Sequence, residues 1–240
     1  SVHHCECERD QQHGRRFGFA GLESAVIPIA GGWDLDAASA FRTPGPVSAR
    51  RSIALKAYDG WAGRAGTALE AIRRVGPALA GYTIELYRCN DEMWMRAEAL
   101  SGEIGVPFVR ASSIYGELAY VDILAMHGRS RISIGLSISD AISTSLLEAM
   151  LMGSFPIQSD TGCGDEWIVS GTNGILIPPE DPAPVADAIR RALDDDELVD
   201  QASRINAGIA RQRLDGERLR QQAIEVYQLA LRQRDGNARP

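Results

Sequence analysis

Two carboxylates, Asp140 and Glu148, lie eight positions apart in the hydroxyl-rich stretch Ser137-Ile138-Ser139-Asp140-Ala141-Ile142-Ser143-Thr144-Ser145-Leu146-Leu147-Glu148. Ionised carboxylates accept paired hydrogen bonds, so they suit vicinal hydroxyls such as those of a sugar or a ribose. A second reading stands beside this for Glu148, because Ser145-x-x-Glu148 has the spacing of a helix capping box. For Asp140 the plain alternative is a loop carboxylate. The chain holds 25 Lys and Arg, of which Lys56 is the one lysine. Lys and Arg are not equivalent at a tight site, so its place matters. It opens Lys56-Ala57-Tyr58-Asp59-Gly60-Trp61-Ala62-Gly63-Arg64-Ala65-Gly66, a glycine-rich turn leading to a helix start. Backbone N–H groups there, with Lys56 and Arg64, form a candidate site for a diphosphate. It is not a Walker loop, since no G-x-x-x-x-G-K-[ST] occurs.

Other groups are less telling. Gly162-x-Gly164 resembles the start of a dinucleotide fingerprint, but Trp167 stands where the third glycine belongs. Asp165 and Glu166 after it read as partners of a helix dipole. Cys163 lacks a histidine near it in sequence to serve as a base, so it is a poor nucleophile candidate. His3-His4-Cys5-Glu6-Cys7 has ligand-type residues, yet no second ligand pair follows as a structural zinc site needs. That segment is expected to be solvated or strand-borne, with no metal bound.

Composition narrows the classes. The 240 residues carry 32 Asp and Glu against the 25 cations, a net charge of −7, with 45% apolar residues. This is a globular composition with length for a sizeable core. The acidic balance argues against a general nucleic-acid binder. No run of about 18 apolar residues offers a membrane span. Four scattered cysteines make no disulfide framework and fit a reducing cytosol.

The elements that must hold these residues alternate. Short apolar strands are predicted at 24–29, 52–56, 82–87, 106–109, 132–136, 155–158 and 174–177. Helices are predicted at 63–79, 92–103, 115–126, 145–152, 166–169, 183–193, 196–210 and 216–232. Thr43-Pro44-Gly45-Pro46 marks a boundary. From residue 52 onward the rhythm gives an α/β fold: a single doubly wound, Rossmann-like six-stranded parallel sheet, helices on both faces, plus C-terminal helices. Ligands in such sheets sit outside the carboxyl ends of the strands, where Lys56 and Asp140 fall.

Taken together these segments resemble the nucleotide-sugar-binding, C-terminal half of a group 1 (family 4-like) retaining glycosyltransferase of the GT-B fold. The resemblance is carried by Ser139-Asp140, Glu148-Ala149-Met150, Gly153, Pro156-Ile157, Ser159-Asp160, Gly162, Glu166, Gly171, Gly174 and Pro178-x-Glu180-Asp181, about 45 residues in one register. It extends loosely from Cys7 to Tyr227, including Ala30-Gly31-Gly32-Trp33-Asp34. It implies roles: Glu148 on the ribose hydroxyls, Asp140 toward the donor sugar, and Lys56 and Arg64 on the donor diphosphate. Backbone N–H groups around Ala141, Ile142, Ser143 and Thr144 would face the sugar or phosphate. Ser112 would lie near the nucleobase. The implied reaction is transfer from a nucleotide sugar to an acceptor hydroxyl with retention, without metal or cofactor. Its partners would be that donor and a glycan or glycoconjugate acceptor, with no nucleic acid.

Three departures from the family pattern qualify this. The acidic pair is Asp-x7-Glu where relatives have Glu. Ala57 and Ala141 replace glycines, so a β-carbon could crowd the donor or forbid positive φ. Sheet rhythm is present for one domain only. Residues 1–45 therefore read as a remnant of a preceding domain with its linker, 46–213 as the nucleotide-sugar-binding domain, and 214–240 as a C-terminal helix and tail. Alone, the chain is expected to bind donor weakly and transfer poorly. A cytoplasmic location is expected, with peripheral membrane association left to the absent acceptor half. The competing functions are a non-catalytic GT-B-like binding or scaffold module, an epimerase acting on nucleotide sugars, and, last, a nicotinamide oxidoreductase.

Overall fold

The structure is a computed structural model describing residues 2–28, 30–113, 116 and 118–236. Its centre is a six-stranded parallel sheet of β3 (Ser52–Lys56), β4 (Thr83–Tyr87), β5 (Phe108–Arg110), β6 (Ser130–Gly135), β7 (Phe155–Ser159) and β8 (Ile175–Ile177), in spatial order β5-β4-β3-β6-β7-β8. The chain winds outward from β3 to β5, then crosses back and winds the other way. The reversal falls between β3 and β6, so a crevice opens beyond their carboxyl ends. Lys56 ends β3, in register with Tyr87 at the end of β4.

The strands are short apolar runs because helices cover both faces. Ile53, Leu55, Ile84 and Leu86 point to one face, into a core completed by α3 (Ala65–Val75), α4 (Asp91–Ile104) and α7 (Pro182–Asp194). Ala54 and Tyr87 point to the other, toward Met126 of α5 (Tyr120–Arg129). That side also carries α6 (Thr144–Met152) and α8 (Asp196–Arg213), with a second core around Leu124, Leu147, Met150 and Ala210. Seven of the nine residues of α6 are buried, Glu148 among them. A helix apolar on every side sinks into the interior and takes its one carboxylate with it.

The flanking segments differ from expectation. A separate two-stranded parallel sheet pairs β1 (Val2–His3) with β2 (Leu22–Glu23), and α1 (Glu8–Arg16) lies between them. The strand predicted at 24–29 is not formed over 24–28, and Ile29 lies outside the described residues. Ser24 and Ile27 still donate backbone bonds to His3 and Cys5. Pro28 has no N–H with which to continue the ladder. The short α2 (Leu35–Ser39) is capped by the Asp34 side chain. Gly32 (φ +79°) lets the backbone at Trp33 pair with Leu214 and Gly216; a β-carbon on it would meet Gly216 Cα at 2.7 Å. The helix predicted at 115–126 begins at Tyr120 instead, and Tyr115 lies outside the described residues. In place of a helix at 166–169, one 3-10 turn covers Gly164–Glu166. The chain closes on α9 (Gly216–Gly236). No helix among the described residues is long and apolar enough to cross a membrane.

Candidate functional site

A cleft of about 460 Å³ lies beyond β3, β4 and β6, lined by Lys56, Tyr87, Arg88, Asp140, Glu148 and Glu6 together with residues 141–145. This is the topological switch point of the sheet. Each of the three strand ends contributes to the lining. β3 presents Lys56, β4 presents Tyr87 and Arg88, and the loop after β6 presents Asp140 before turning into α6 at the Ser143 cap.

Lys56 Nζ lies 3.7 Å from Asp140 Oδ2, an oxygen that is buried with no hydrogen-bond partner. Cation and carboxylate thus face each other across the cleft at the length of a loose ion pair. Glu148 sits deeper, at 6% exposure. Burial pushes its carboxyl up to about 7, and the charge of Lys56 partly opposes this. His127 Nε2 is 3.9 Å away, buried and without a hydrogen-bond partner. Burial, reinforced by Arg129, pushes His127 down to about 3, so the imidazole is neutral at ordinary pH. This contact is therefore a neutral ring beside a carboxyl, not an ion pair. The ring is held by His127 Nδ1 to Ser133 Oγ at 2.8 Å, Ser133 Oγ to Ser154 Oγ at 2.7 Å, and the Tyr87 ring set edge-on at 5.6 Å. Burial likewise raises the Tyr87 hydroxyl, which Ser145 hydrogen-bonds. Glu6 is raised by burial and then by Asp10.

The capping-box alternative for Glu148 does not hold. Ser143, not Ser145, is the N-cap of α6, which puts Leu146 at the third helical position and Glu148 a half-turn further in. Ala141, Ile142, Ser143 and Thr144 line the cleft. Neither Ala57 nor Ala141 has positive φ, so the alanines need no glycine conformation there.

Two predicted residues stand apart. Arg64 does not line the cleft. Its Nε donates to Glu180 Oε1 at 2.7 Å and its Nη1 donates to the Gly63 carbonyl at 2.8 Å. The helix start beside it is already partnered, since Gly66 N–H donates to Asp59 Oδ1 at 3.2 Å. Ser112 also stands outside the lining, its Oγ accepting from Arg88 N–H at 3.0 Å. That bond supports Arg88 at φ +56°, the described non-glycine residue with positive φ.

Sequence reasoning missed Tyr87, Arg88, His127 and Glu6. The first two carry a usable signal, because they end a strand adjacent to β3 in a sheet whose ligands sit at that end. Glu6 arrives from 134 positions before Asp140 and carries none. Gly162 and Gly164 serve packing: a β-carbon on Gly162 would meet the Asp140 carbonyl at 3.0 Å, and one on Gly164 the Leu176 side chain at 3.0 Å. Glu166 is not a partner of its own turn. Both its oxygens accept from the first N–H groups of α1, at Glu8 and Arg9, each at 3.0 Å. The His3–Cys7 stretch brings no three ligands together, with His4 Nδ1 on Ser24 Oγ at 3.0 Å and Cys5 Sγ on His3 Nε2 at 3.1 Å. The metal-capable group among the described residues is Cys7, Cys163 and Glu166, with ligand atoms within 4.8 Å of one another; none of the three lines the cleft.

Comparison with known proteins agrees with the fold. Residues 110–208 match the family described as "Glycosyl transferases group 1". Glycogen synthase from Mycobacterium tuberculosis is 28% identical over 148 residues, 61% of this chain and 33% of that protein. The chain thus spans a third of the length of the curated relatives it matches. Among solved structures, sucrose-phosphate synthase from Thermosynechococcus elongatus superposes with a TM-score of 0.74 at 17% identity, covering 96% of this chain and 58% of that one. Anabaena HepE, solved in complex with UDP-glucose, gives 0.74 at 18% identity, covering 95% and 64%. The chain has the fold of one half of these GT-B glycosyltransferases.

Proposed function

We propose that this chain is the donor-binding part of a retaining, metal-independent glycosyltransferase, which moves a sugar from a nucleotide sugar to a hydroxyl of a glycan or glycoconjugate acceptor. The observation that carries this is the convergence of Lys56, Asp140 and Glu148 on one cleft at the switch point of the sheet. The nucleotide-sugar relatives support the same reading.

The chemistry follows from the groups. Glu148, ionised, accepts from the ribose hydroxyls. Lys56 and the N-terminus of α6 face the diphosphate and stabilise the charge that grows on it as the glycosidic bond breaks. Those positive ends stand where a divalent ion would otherwise be needed. Asp140 accepts from the donor sugar, and a bound phosphate competes with it for Lys56. Arg64 reaches a phosphate by exchanging Glu180; the Glu180 side chain is solvent-exposed, so the pair is worth about 1 kcal/mol or less. The acceptor hydroxyl attacks from the face the leaving phosphate vacates, and the phosphate takes its proton. Residues 46–213 are the nucleotide-sugar-binding unit in this reading, and a second domain supplies the acceptor side.

A thermal-shift panel of UDP-, GDP- and ADP-sugars, run with and without EDTA, tests it. The expected result is stabilisation by one nucleotide class that persists in EDTA. Absence of any shift across the panel would point instead to a non-catalytic module, and a shift abolished by EDTA would overturn metal independence.

A further inference from the structure

The thiols of Cys7 and Cys163 meet although 156 positions separate them. Their Sγ atoms stand 2.6 Å apart, and the residues are 0% and 1% exposed. We propose that Cys7 and Cys163 form a dithiol site that closes to a disulfide, joining α1 to the loop that borders the cleft. The other two cysteines are engaged elsewhere, Cys5 Sγ with His3 Nε2 at 3.1 Å and Cys89 Sγ with the Asn90 carbonyl at 3.4 Å. The pairing is therefore specific among the four.

Location gives the bond its consequence. Cys7 is the N-cap residue of α1 and follows Glu6, which lines the cleft. The Cys163 N–H donates to the Ala141 carbonyl at 2.8 Å, and Ala141 also lines the cleft. A bond between residues 7 and 163 ties both cleft walls together.

Access comes through α1. None of its residues is buried, and its first turn is held to the sheet domain by the Glu166 carboxylate. A helix with so little buried surface opens locally at small cost. Once it lifts, both sulfurs meet solvent. Burial raises both thiols in the closed form, and the contact between them raises Cys163 further while it lowers Cys7. Cys7, at the N-terminus of α1, is thus the attacking sulfur.

The oxidant is a small disulfide such as oxidised glutathione. The Cys7 thiolate attacks one of its sulfurs, making a mixed disulfide and releasing one glutathione thiolate. The Cys163 thiolate then attacks Cys7 Sγ, forming the protein disulfide and releasing the second glutathione. The two protons lost by the protein thiols end on the two glutathiones. The protein is oxidised by two electrons, and the small disulfide is reduced by the same two. Glu166 adds a third metal-capable atom, one short of a closed four-ligand site, so a disulfide accounts for the pair better than a structural metal does.

The test is equilibration of the purified full chain with oxidised glutathione, followed by a thiol count in denaturant and peptide mapping. The expected result is a fall from four free thiols to two, a crosslinked peptide containing Cys7 and Cys163, and a higher melting temperature that dithiothreitol reverses. Cys5→Ser and Cys89→Ser retain the crosslink, and Cys163→Ser abolishes it. A map linking Cys5 or Cys89, a count that stays at four, or stoichiometric zinc in the reduced protein would overturn the proposal. The wild-type map decides even where a serine variant folds poorly.

Discussion

Replacing Glu148 by Gln separates binding from stability, because the carboxylate is unfavourable for the fold and needed by the site. The ordinary glutamate value is 4.5, and burial moves Glu148 to about 7. The folded state therefore keeps a proton that the unfolded state loses, and folding stability contributed by this group falls as pH rises from 4.5 to 7. The difference corresponds to a cost of about 3 kcal/mol for the ionised form above pH 7. Gln retains the shape without that ionisation. Glu148→Gln should match the wild type near pH 4.5 and exceed it by about 2–3 kcal/mol at pH 8.5. His127 titrates on the acid side and contributes alike to both proteins, since its shift comes from burial and Arg129 rather than from Glu148. Urea unfolding at the two pH values measures the double difference, and calorimetric titration with UDP measures binding. The variant should bind UDP about tenfold or more weakly at pH 8.5, a loss on the scale of one charge-assisted hydrogen bond. A variant destabilised equally at both pH values, with unchanged UDP affinity, would refute a binding carboxylate paid for by burial.

Four further outcomes follow from the same geometry. Lys56→Ala should weaken UDP binding about 10- to 100-fold and leave uridine binding nearly unchanged, since a cation on the phosphates is what is lost; comparing the two ligands by titration checks it. The depressed His127 value makes neutrality part of the fold, so this group's contribution is full above pH 6.5 and declines as pH falls toward 3, by about 2 kcal/mol at pH 5. His127→Phe should flatten that acid limb in urea unfolding between pH 7 and 5, and an unchanged limb would acquit the residue. Arg88→Gly should relieve the left-handed backbone and gain about 1 kcal/mol in chemical denaturation, while phosphate-bearing ligands bind less tightly. Asp140→Asn should keep the melting temperature within a degree or two but lower sugar transfer when an acceptor domain is supplied.

The sheet was readable because each of its strands is a short apolar run between glycine or polar turns, a pattern that parallel strands covered on both faces impose. Residues 52–56 fall in the sequence reading and in the structure alike. The Asp140–Glu148 pair and Lys56 were readable for a related reason, since the ends of those strands are where such sheets collect ligand groups. What stayed illegible depends on contacts distant in sequence. Helix α1 has no buried residue, so no apolar period announces it; it is fixed by Glu166 from the far side of the chain. The apolar side chains between 115 and 126 suggested one helix, but the described helix begins only at Tyr120. Arg64 looked like the natural partner of Lys56 by spacing, and only the fold reveals Glu180 within its reach. The burial of Glu148, which sets its protonation, likewise comes from the neighbours packed around α6 rather than from the local sequence.

The central claim concerns where a nucleotide diphosphate sits, and a crystal structure of the chain with UDP tests it most directly. The expected result places the diphosphate within hydrogen-bond reach of Lys56 Nζ and the ribose hydroxyls on the Glu148 carboxylate, with the Lys56–Asp140 pair opened. UDP bound instead in the groove between Trp33, Arg42 and Arg211, or bound in the cleft with its ribose turned away from Glu148, would contradict it.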